Sequence, residues 1–122
     1  MATKKYKISY EWWEAVLEIE HTEQTLNNIK EQLTFFMGCP KSTQESTDWD
    51  GLVSRYLRQI APHLLWESME WNLTGVIRQF QEGGKYEGYL PIGGEFGVKL
   101  ILIDTWEFPS DEFDVEEVVK IK

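Results

Sequence analysis

Apolar and polar residues alternate along the first part of the chain, and this pattern constrains the fold more than any other feature. One face of the first run carries Tyr6, Ile8, Tyr10 and Trp12. The second run sets Ala15, Leu17 and Ile19 against Glu14, Val16, Glu18 and Glu20. A two-residue period is typical of strands with one buried face. Because the link at Trp12–Glu14 is short, we predict a β-hairpin.

Helical spacing replaces the alternation in the middle of the chain. Thr22, Asp48 and Asn72 are the predicted N-caps, since each precedes an apolar stripe of helical period. Pro62 is predicted to end or kink the second helix. The apolar stretch 63–71 that follows predicts a central buried helix.

The period changes again after the helical part. The run VKLILI at 98–103 predicts a central strand, Pro109 and Ser110 mark a turn, and 115–121 alternates loosely as a fourth strand. We therefore predict an α+β fold of one domain, residues 1–122. It has a roughly four-stranded antiparallel sheet, the element order ββαααββ, and helices packed on one face.

The stretch PIGGEFG at 91–97 contains letters of the Gly-Gly-acid-acid-Phe signature of nucleotide cyclases. Here Glu95 is the single acid between Gly94 and Phe96, and the first strand ends at tryptophans without a metal-binding aspartate. We interpret the stretch as a glycine turn that feeds the following strand, with Phe96 packed on the sheet.

The charge balance predicts the kind of partner. Acidic residues outnumber basic ones by 21 to 12, and the formal net charge is −9. This balance argues against direct nucleic-acid binding, where cations supply most of the affinity, and favours a protein partner with a basic surface. Without an apolar signal region or membrane-length run, the sequence predicts a cytoplasmic protein and leaves a homo-oligomer open.

Seven acids and no bases lie between Asp104 and Glu117. Three readings stay open: a solvated turn and edge strand, an acidic surface for a basic partner, and a metal site, although the calcium-loop pattern is missing. Aromatic residues flanked by acids are typical interface anchors. The predicted partner-binding residues are Trp106, Glu107, Asp111, Glu112 and Asp114, followed by Trp12 and Trp13.

Trp12 and Trp13 are adjacent, so on a strand they point to opposite faces and one of them lies outside the core. His21, His63 and Cys39 fall in no nucleophile motif. No catalytic, cofactor-binding or metal-binding residue is therefore predicted, and no cofactor.

Three stretches carry a family resemblance: KYKISYEWWEAVLEIEH, WNLTGVIRQFQEGG and GEFGVKLILIDTWEFPSDEFDVEEV. With them the chain resembles a family of small proteins of unknown function from bacteriophages, prophages and plasmids. The segment Trp66–Trp71 departs from that family's pattern. The resemblance implies an accessory protein of a mobile element and supplies no reaction.

The leading hypothesis is a non-enzymatic protein-binding protein that inhibits a host factor or defence system through an acidic, aromatic surface. One alternative is an immunity-type or antitoxin-like neutraliser of a basic toxin, which a neighbouring toxin gene would favour. The other alternative is a small enzyme, which a deep pocket lined by converging polar groups would favour.

Overall fold

A computed structural model describes residues 3–37, 48–81, 83–86, 88–108 and 114–117. In chain order the elements are β1 (Thr3–Tyr10), β2 (Trp13–Glu20), α1 (Glu23–Met37), α2 (Trp49–Ser68), α3 (Leu73–Gln79) and β3 (Val98–Ile103).

The strands form an antiparallel sheet in the order β1-β2-β3. Alternate residues of β2 are completely buried: Trp13, Ala15, Leu17 and Ile19. They lie on the face that packs against the helices in the hydrophobic core, as the alternation predicts. The opposite face carries charged side chains, and Lys7 of β1 pairs with Glu14 of β2 at 3.7 Å.

The α+β class and the antiparallel sheet are confirmed, but the fourth strand is not. Residues 114–117 have no regular secondary structure, and 118–121 lie outside the described residues, as do Pro109 and Ser110 of the predicted turn. The described part of the chain therefore has a three-stranded sheet and three helices, not the predicted order ββαααββ.

Three predicted N-caps begin the helices. The side-chain oxygens of Thr22, Asp48 and Asn72 each accept a hydrogen bond from the backbone N–H three residues later, at 3.1, 3.2 and 2.9 Å. Each bond satisfies one of the N–H groups that a helix start leaves unpaired. The sequence therefore predicted these boundaries correctly because capping is a local interaction.

Helix α2 differs from the prediction in two ways. Pro62 does not end it, because the helix runs continuously from Trp49 to Ser68. The stretch 63–71 is not buried on all sides either: Leu64 is buried, whereas Trp66 and Trp71 are exposed. One stripe of α2 faces the core, and Trp66 lies outside that stripe, whereas Trp71 follows the end of the helix.

The PIGGEFG stretch is a turn that leads into β3, as predicted. Gly94 and Gly97 have φ angles of 105° and 91°, which favour glycine. The Gly94 N–H donates to the carbonyl of Val98 at 2.9 Å. Phe96 is exposed instead of packing on the sheet, which corrects that part of the prediction.

The described helices include none that is long and apolar enough to cross a lipid bilayer.

Candidate protein-binding surface

The β1–β2 hairpin turns through only two residues, Glu11 and Trp12. Glu11 has a φ of 54°, a left-handed conformation that non-glycine residues rarely adopt. The turn places the side chain of Trp12 in solvent, while Trp13 begins β2 and is completely buried. The predicted division between the two tryptophans is therefore present, with Trp12 outside the core.

Asp104, directly after β3, fixes the next segment against the hairpin. Its carbonyl accepts a hydrogen bond from the indole N–H of Trp13 at 2.8 Å. Its carboxylate Oδ2 accepts from the N–H of Glu14 at 3.0 Å, and its own N–H donates to the Glu14 carbonyl at 2.9 Å. Asp104, the first acid of the acidic run, thus has a structural role.

Trp106 follows two residues later and lies under the turn. Its backbone N–H donates to the hydroxyl oxygen of Ser68 at 3.2 Å, and the Ser68 hydroxyl donates to the Leu65 carbonyl at 2.6 Å. Its buried indole N–H has no hydrogen-bond partner among the described residues. A backbone hydrogen bond to Ser68 therefore helps to position Trp106 and leaves its ring free for aromatic contacts.

Four aromatic rings meet at the end of the hairpin, and we call them the hairpin-tip patch: Tyr10, Trp12, Trp106 and Phe108. Trp12 stacks on Trp106 with centroids 5.2 Å apart and an interplanar angle of 4°. Tyr10 and Phe108 each contact Trp106 at 5.6 Å. Trp106 is only 8% exposed, whereas the other three rings are 51–57% exposed. Trp106 is therefore the floor of an exposed aromatic surface.

Acidic residues are next to the hairpin-tip patch in the chain. Glu11 precedes Trp12 in the turn, and Glu107 lies between Trp106 and Phe108; both are exposed. The patch therefore combines a large apolar area with nearby negative charge, a combination typical of a protein-binding surface.

The structure unites some of the predicted partner-binding residues and separates others. Trp12 and Trp106 are in direct contact, and Glu107 is adjacent to them. Trp13 is buried and therefore cannot contact a partner, which corrects that prediction. Asp114 is exposed in a stretch without regular structure. Asp111 and Glu112 lie outside the described residues.

Two members of the patch are not among the predicted partner-binding residues. Tyr10 lies on the predicted apolar face of the first strand, and Phe108 belongs to the acidic run but is not a predicted site residue. A two-residue turn at Glu11 and Trp12 would have placed Tyr10 at the hairpin end. No local signal brings Phe108 to the same place, because Phe108 joins the patch through Trp106, and the contact of Trp106 with Trp12 bridges most of the chain.

A second polar cluster surrounds the buried carboxylate of Glu67 on α2. Glu67 Oε2 accepts from the Lys85 ammonium at 2.8 Å and from the Tyr86 hydroxyl at 3.0 Å. Burial, together with this hydrogen bond and the Glu67 charge, raises the pKa of Tyr86. The carboxylate is thus paired and hydrogen-bonded, which is how a protein tolerates a buried charge. Within the described ranges, no group of three acidic, histidine or cysteine side chains is arranged to hold a metal ion.

The chain is similar over nearly all of its length to phage-encoded proteins. The lambda prophage-derived protein ea10 of Escherichia coli O6:H1 strain CFT073 is 28% identical over 119 residues, which span 93% of this chain and 95% of that protein. Protein ea10 of Escherichia phage lambda has the same identity and coverage. No protein-family model and no solved structure matches the chain. The predicted resemblance to phage and prophage proteins is thus supported by two relatives of matching length.

Proposed function

We propose that this chain is a non-enzymatic protein-binding accessory protein of a mobile element that acts in the cytoplasm of the bacterial host. The hairpin-tip patch is the observation that supports this function. Its exposed rings include a tryptophan and a tyrosine, two of the residue types most enriched among binding hot spots. Stacking of Trp12 on Trp106 also fixes the Trp12 ring, so little side-chain entropy is lost on binding.

The charges suggest the chemistry of the partner. Glu11 and Glu107 flank the exposed rings in the chain, and the whole protein carries a net charge of −9. A complementary partner has an apolar pocket surrounded by lysine or arginine, since opposite potentials accelerate and orient association. We infer that binding occludes the basic working surface of a host factor or defence protein.

A pull-down from bacterial host lysate with Trp12→Ala tests the role of the patch. The matched control is Trp66→Ala, which removes a 61% exposed tryptophan of α2 that is not a member of the hairpin-tip patch. We expect Trp12→Ala to reduce recovery of the partner at least about tenfold, as for a hot-spot residue. Trp66→Ala should leave recovery unchanged. Equal recovery with both variants would sink the proposal.

The charge contribution needs a separate variant. Replacing Glu107, Asp111, Glu112 and Asp114 together by lysine reverses the charge of the acidic run. We expect slower association with the partner and a weaker dependence of the rate on salt, measured by surface plasmon resonance. Unchanged association would remove the acidic surface from the mechanism and leave the aromatic contact alone.

A further inference from the structure

Strand β1 has an open outer edge. At the opposite edge of the sheet, part of β3 is covered: the Leu100 N–H donates to the Ile92 carbonyl at 2.9 Å, and Gly94 pairs with Val98. On the outer side of β1, no backbone hydrogen bond comes from any residue that the structure describes. Alternate residues of this eight-residue strand therefore offer backbone donors and acceptors to another chain.

The pairing of β2 identifies which backbone groups point outward. Glu14 and Glu20 of β2 use their backbone groups on the side of β3. Ser9 and Thr3, which lie opposite Glu14 and Glu20, therefore direct their backbone N–H and C=O groups away from β2. Along an antiparallel strand these groups point outward at every second residue. The outward-pointing residues are Thr3, Lys5, Lys7 and Ser9.

A groove of about 500 Å³ runs between this edge and α2. Tyr6 and Ile8 of β1 line one wall. The α2 wall carries Leu57 and Ala61 together with the polar side chains of Asp50, Ser54 and Arg58. A strand added beside β1 would place every second side chain in this groove, because side chains alternate between the two faces of a sheet. Where Tyr6, Ile8, Leu57 and Ala61 line it, the groove suits apolar side chains at alternate positions.

Charge selects the side chains of the added strand that point to the solvent face of the sheet. On the solvent face, Lys5 lies opposite Glu18 of β2, and Glu18 lies opposite Lys99 of β3. This row alternates in sign, so the next position beyond Lys5 favours an acid. A second copy paired antiparallel through β1 has two registers of greatest overlap. One would set Lys5 against Lys7 and the other Lys7 against Lys7, and directly opposed like charges are destabilising.

We propose that the outer edge of β1 binds an extended segment of a partner protein as an additional antiparallel strand. The bound segment alternates acidic residues, which face Lys5 and Lys7, with apolar residues, which enter the groove. Lysines on an edge strand hinder pairing with basic or identical strands, and here they favour an acidic one. This surface is separate from the hairpin-tip patch and does not depend on its function.

The test is fluorescence anisotropy of the full chain with a labelled peptide as long as β1 that alternates glutamate and valine. We expect saturable binding that Lys5→Glu/Lys7→Glu weakens at least about tenfold. Lys99→Glu reverses a single charge on the same face but two strands away, and it should leave the affinity within about twofold. Trp12→Ala should also leave this affinity unchanged, which separates the edge from the hairpin-tip patch.

Backbone pairing is tested with two N-methylated peptides of the same sequence. Methylation of the glutamate amides should abolish binding, because those N–H groups face β1 in the antiparallel arrangement. Methylation of the valine amides should preserve binding. Equal affinities of the two methylated peptides, equal weakening by Lys99→Glu, or binding of a lysine–valine peptide would each overturn the proposal. Self-association of the chain that the acidic peptide displaces would overturn it too, since a second copy would then be the occupant.

Discussion

The hydroxyl groups of Tyr56 and Tyr86 differ in their hydrogen bonding. Tyr56 is completely buried, and its hydroxyl has no hydrogen-bond partner within the described part of the chain. Burial alone raises its pKa, so the hydroxyl stays protonated. Tyr86 instead donates to the buried carboxylate of Glu67. Removing one oxygen from each residue therefore has different consequences.

We expect Tyr56→Phe to leave the free energy of unfolding unchanged or to raise it by up to about 1 kcal/mol, because a buried unsatisfied group is removed. Tyr86→Phe should lower it by about 1–3 kcal/mol, because a hydrogen bond to a buried charge is lost. Urea denaturation of the two matched variants measures both effects. A greater loss for Tyr56→Phe than for Tyr86→Phe would contradict this account.

Single residues also mark where prediction from sequence fails. The stretch 63–71 predicts a buried helix that includes Trp66 and Trp71, yet of the six tryptophans only Trp13 and Trp106 are buried. Trp12 is exposed by the turn, and Trp66 by its position on the outer side of α2. A large apolar side chain gains by burial, but the backbone decides which side chains can reach the core.

At the scale of elements, the hairpin contains a backbone conformation that glycine would adopt at lower cost. Glu11 has a positive φ at the first position of a two-residue turn, where type II′ hairpins usually have glycine. We expect Glu11→Gly to raise the free energy of unfolding by about 1 kcal/mol, since left-handed residues cost roughly 1–2 kcal/mol and glycine loses more entropy on folding. Glu11→Ala is the control, because it removes the charge and keeps the strain. Equal stability of the two variants would contradict this prediction.

Pro62 is the second element-scale test. It is exposed inside α2 and has no N–H to donate to the carbonyl four residues earlier. We expect Pro62→Ala to raise the free energy of unfolding by up to about 3 kcal/mol. The increase is smaller to the extent that the helix has already adjusted to the proline. Ser54→Ala, at another exposed position of α2, bounds the effect of helix propensity at about 0.5 kcal/mol. A loss of stability in Pro62→Ala, seen in thermal unfolding, would show that the proline is required for the shape of α2.

These elements show which parts of the fold the sequence could predict. Strands β1 and β2 and the three N-caps follow from interactions between near neighbours, which a local pattern records. The continuity of α2 through Pro62 depends on packing of Leu64 and other residues beyond the proline, which local propensity does not include. Tertiary contacts therefore keep α2 continuous at a residue where local propensity predicts an end or a kink.

At the scale of the whole molecule, the hairpin-tip patch depends on contacts between distant parts of the chain. The bond between Trp13 and Asp104 joins residues 91 positions apart, and Trp106 reaches the hairpin only because Asp104 is fixed. No periodic pattern encodes such a pairing. The sequence predicts Trp12, Trp106 and Glu107 as site residues because their types are typical of interfaces. Only the fold shows that they lie together on one surface.

The packing of α2 against the segment that follows α3 also makes the stability of the whole molecule depend on pH. His63 of α2 forms a hydrogen bond between its Nε2 and the Tyr89 hydroxyl at 2.9 Å, and its ring contacts Tyr86. Burial lowers the pKa of His63 below its ordinary value of 6.5; the Glu67 carboxylate opposes this shift and the Lys85 ammonium adds to it. The unfolded chain consequently binds a proton at this residue more readily than the folded chain does.

The contribution of His63 is therefore fully present above pH 6.5 and is lost as the pH falls towards the lowered pKa of the folded state. We expect the free energy of unfolding to decrease between pH 7.5 and pH 5, and His63→Gln to flatten this decrease, because glutamine keeps polar groups and cannot titrate. Carboxylates also titrate near the acidic end of this interval, so the net charge of −9 becomes less negative in both proteins as the pH decreases. The difference between wild type and His63→Gln isolates the histidine, and chemical denaturation across the interval measures it. Parallel curves for the two proteins would mean that His63 titrates alike in the folded and unfolded chains.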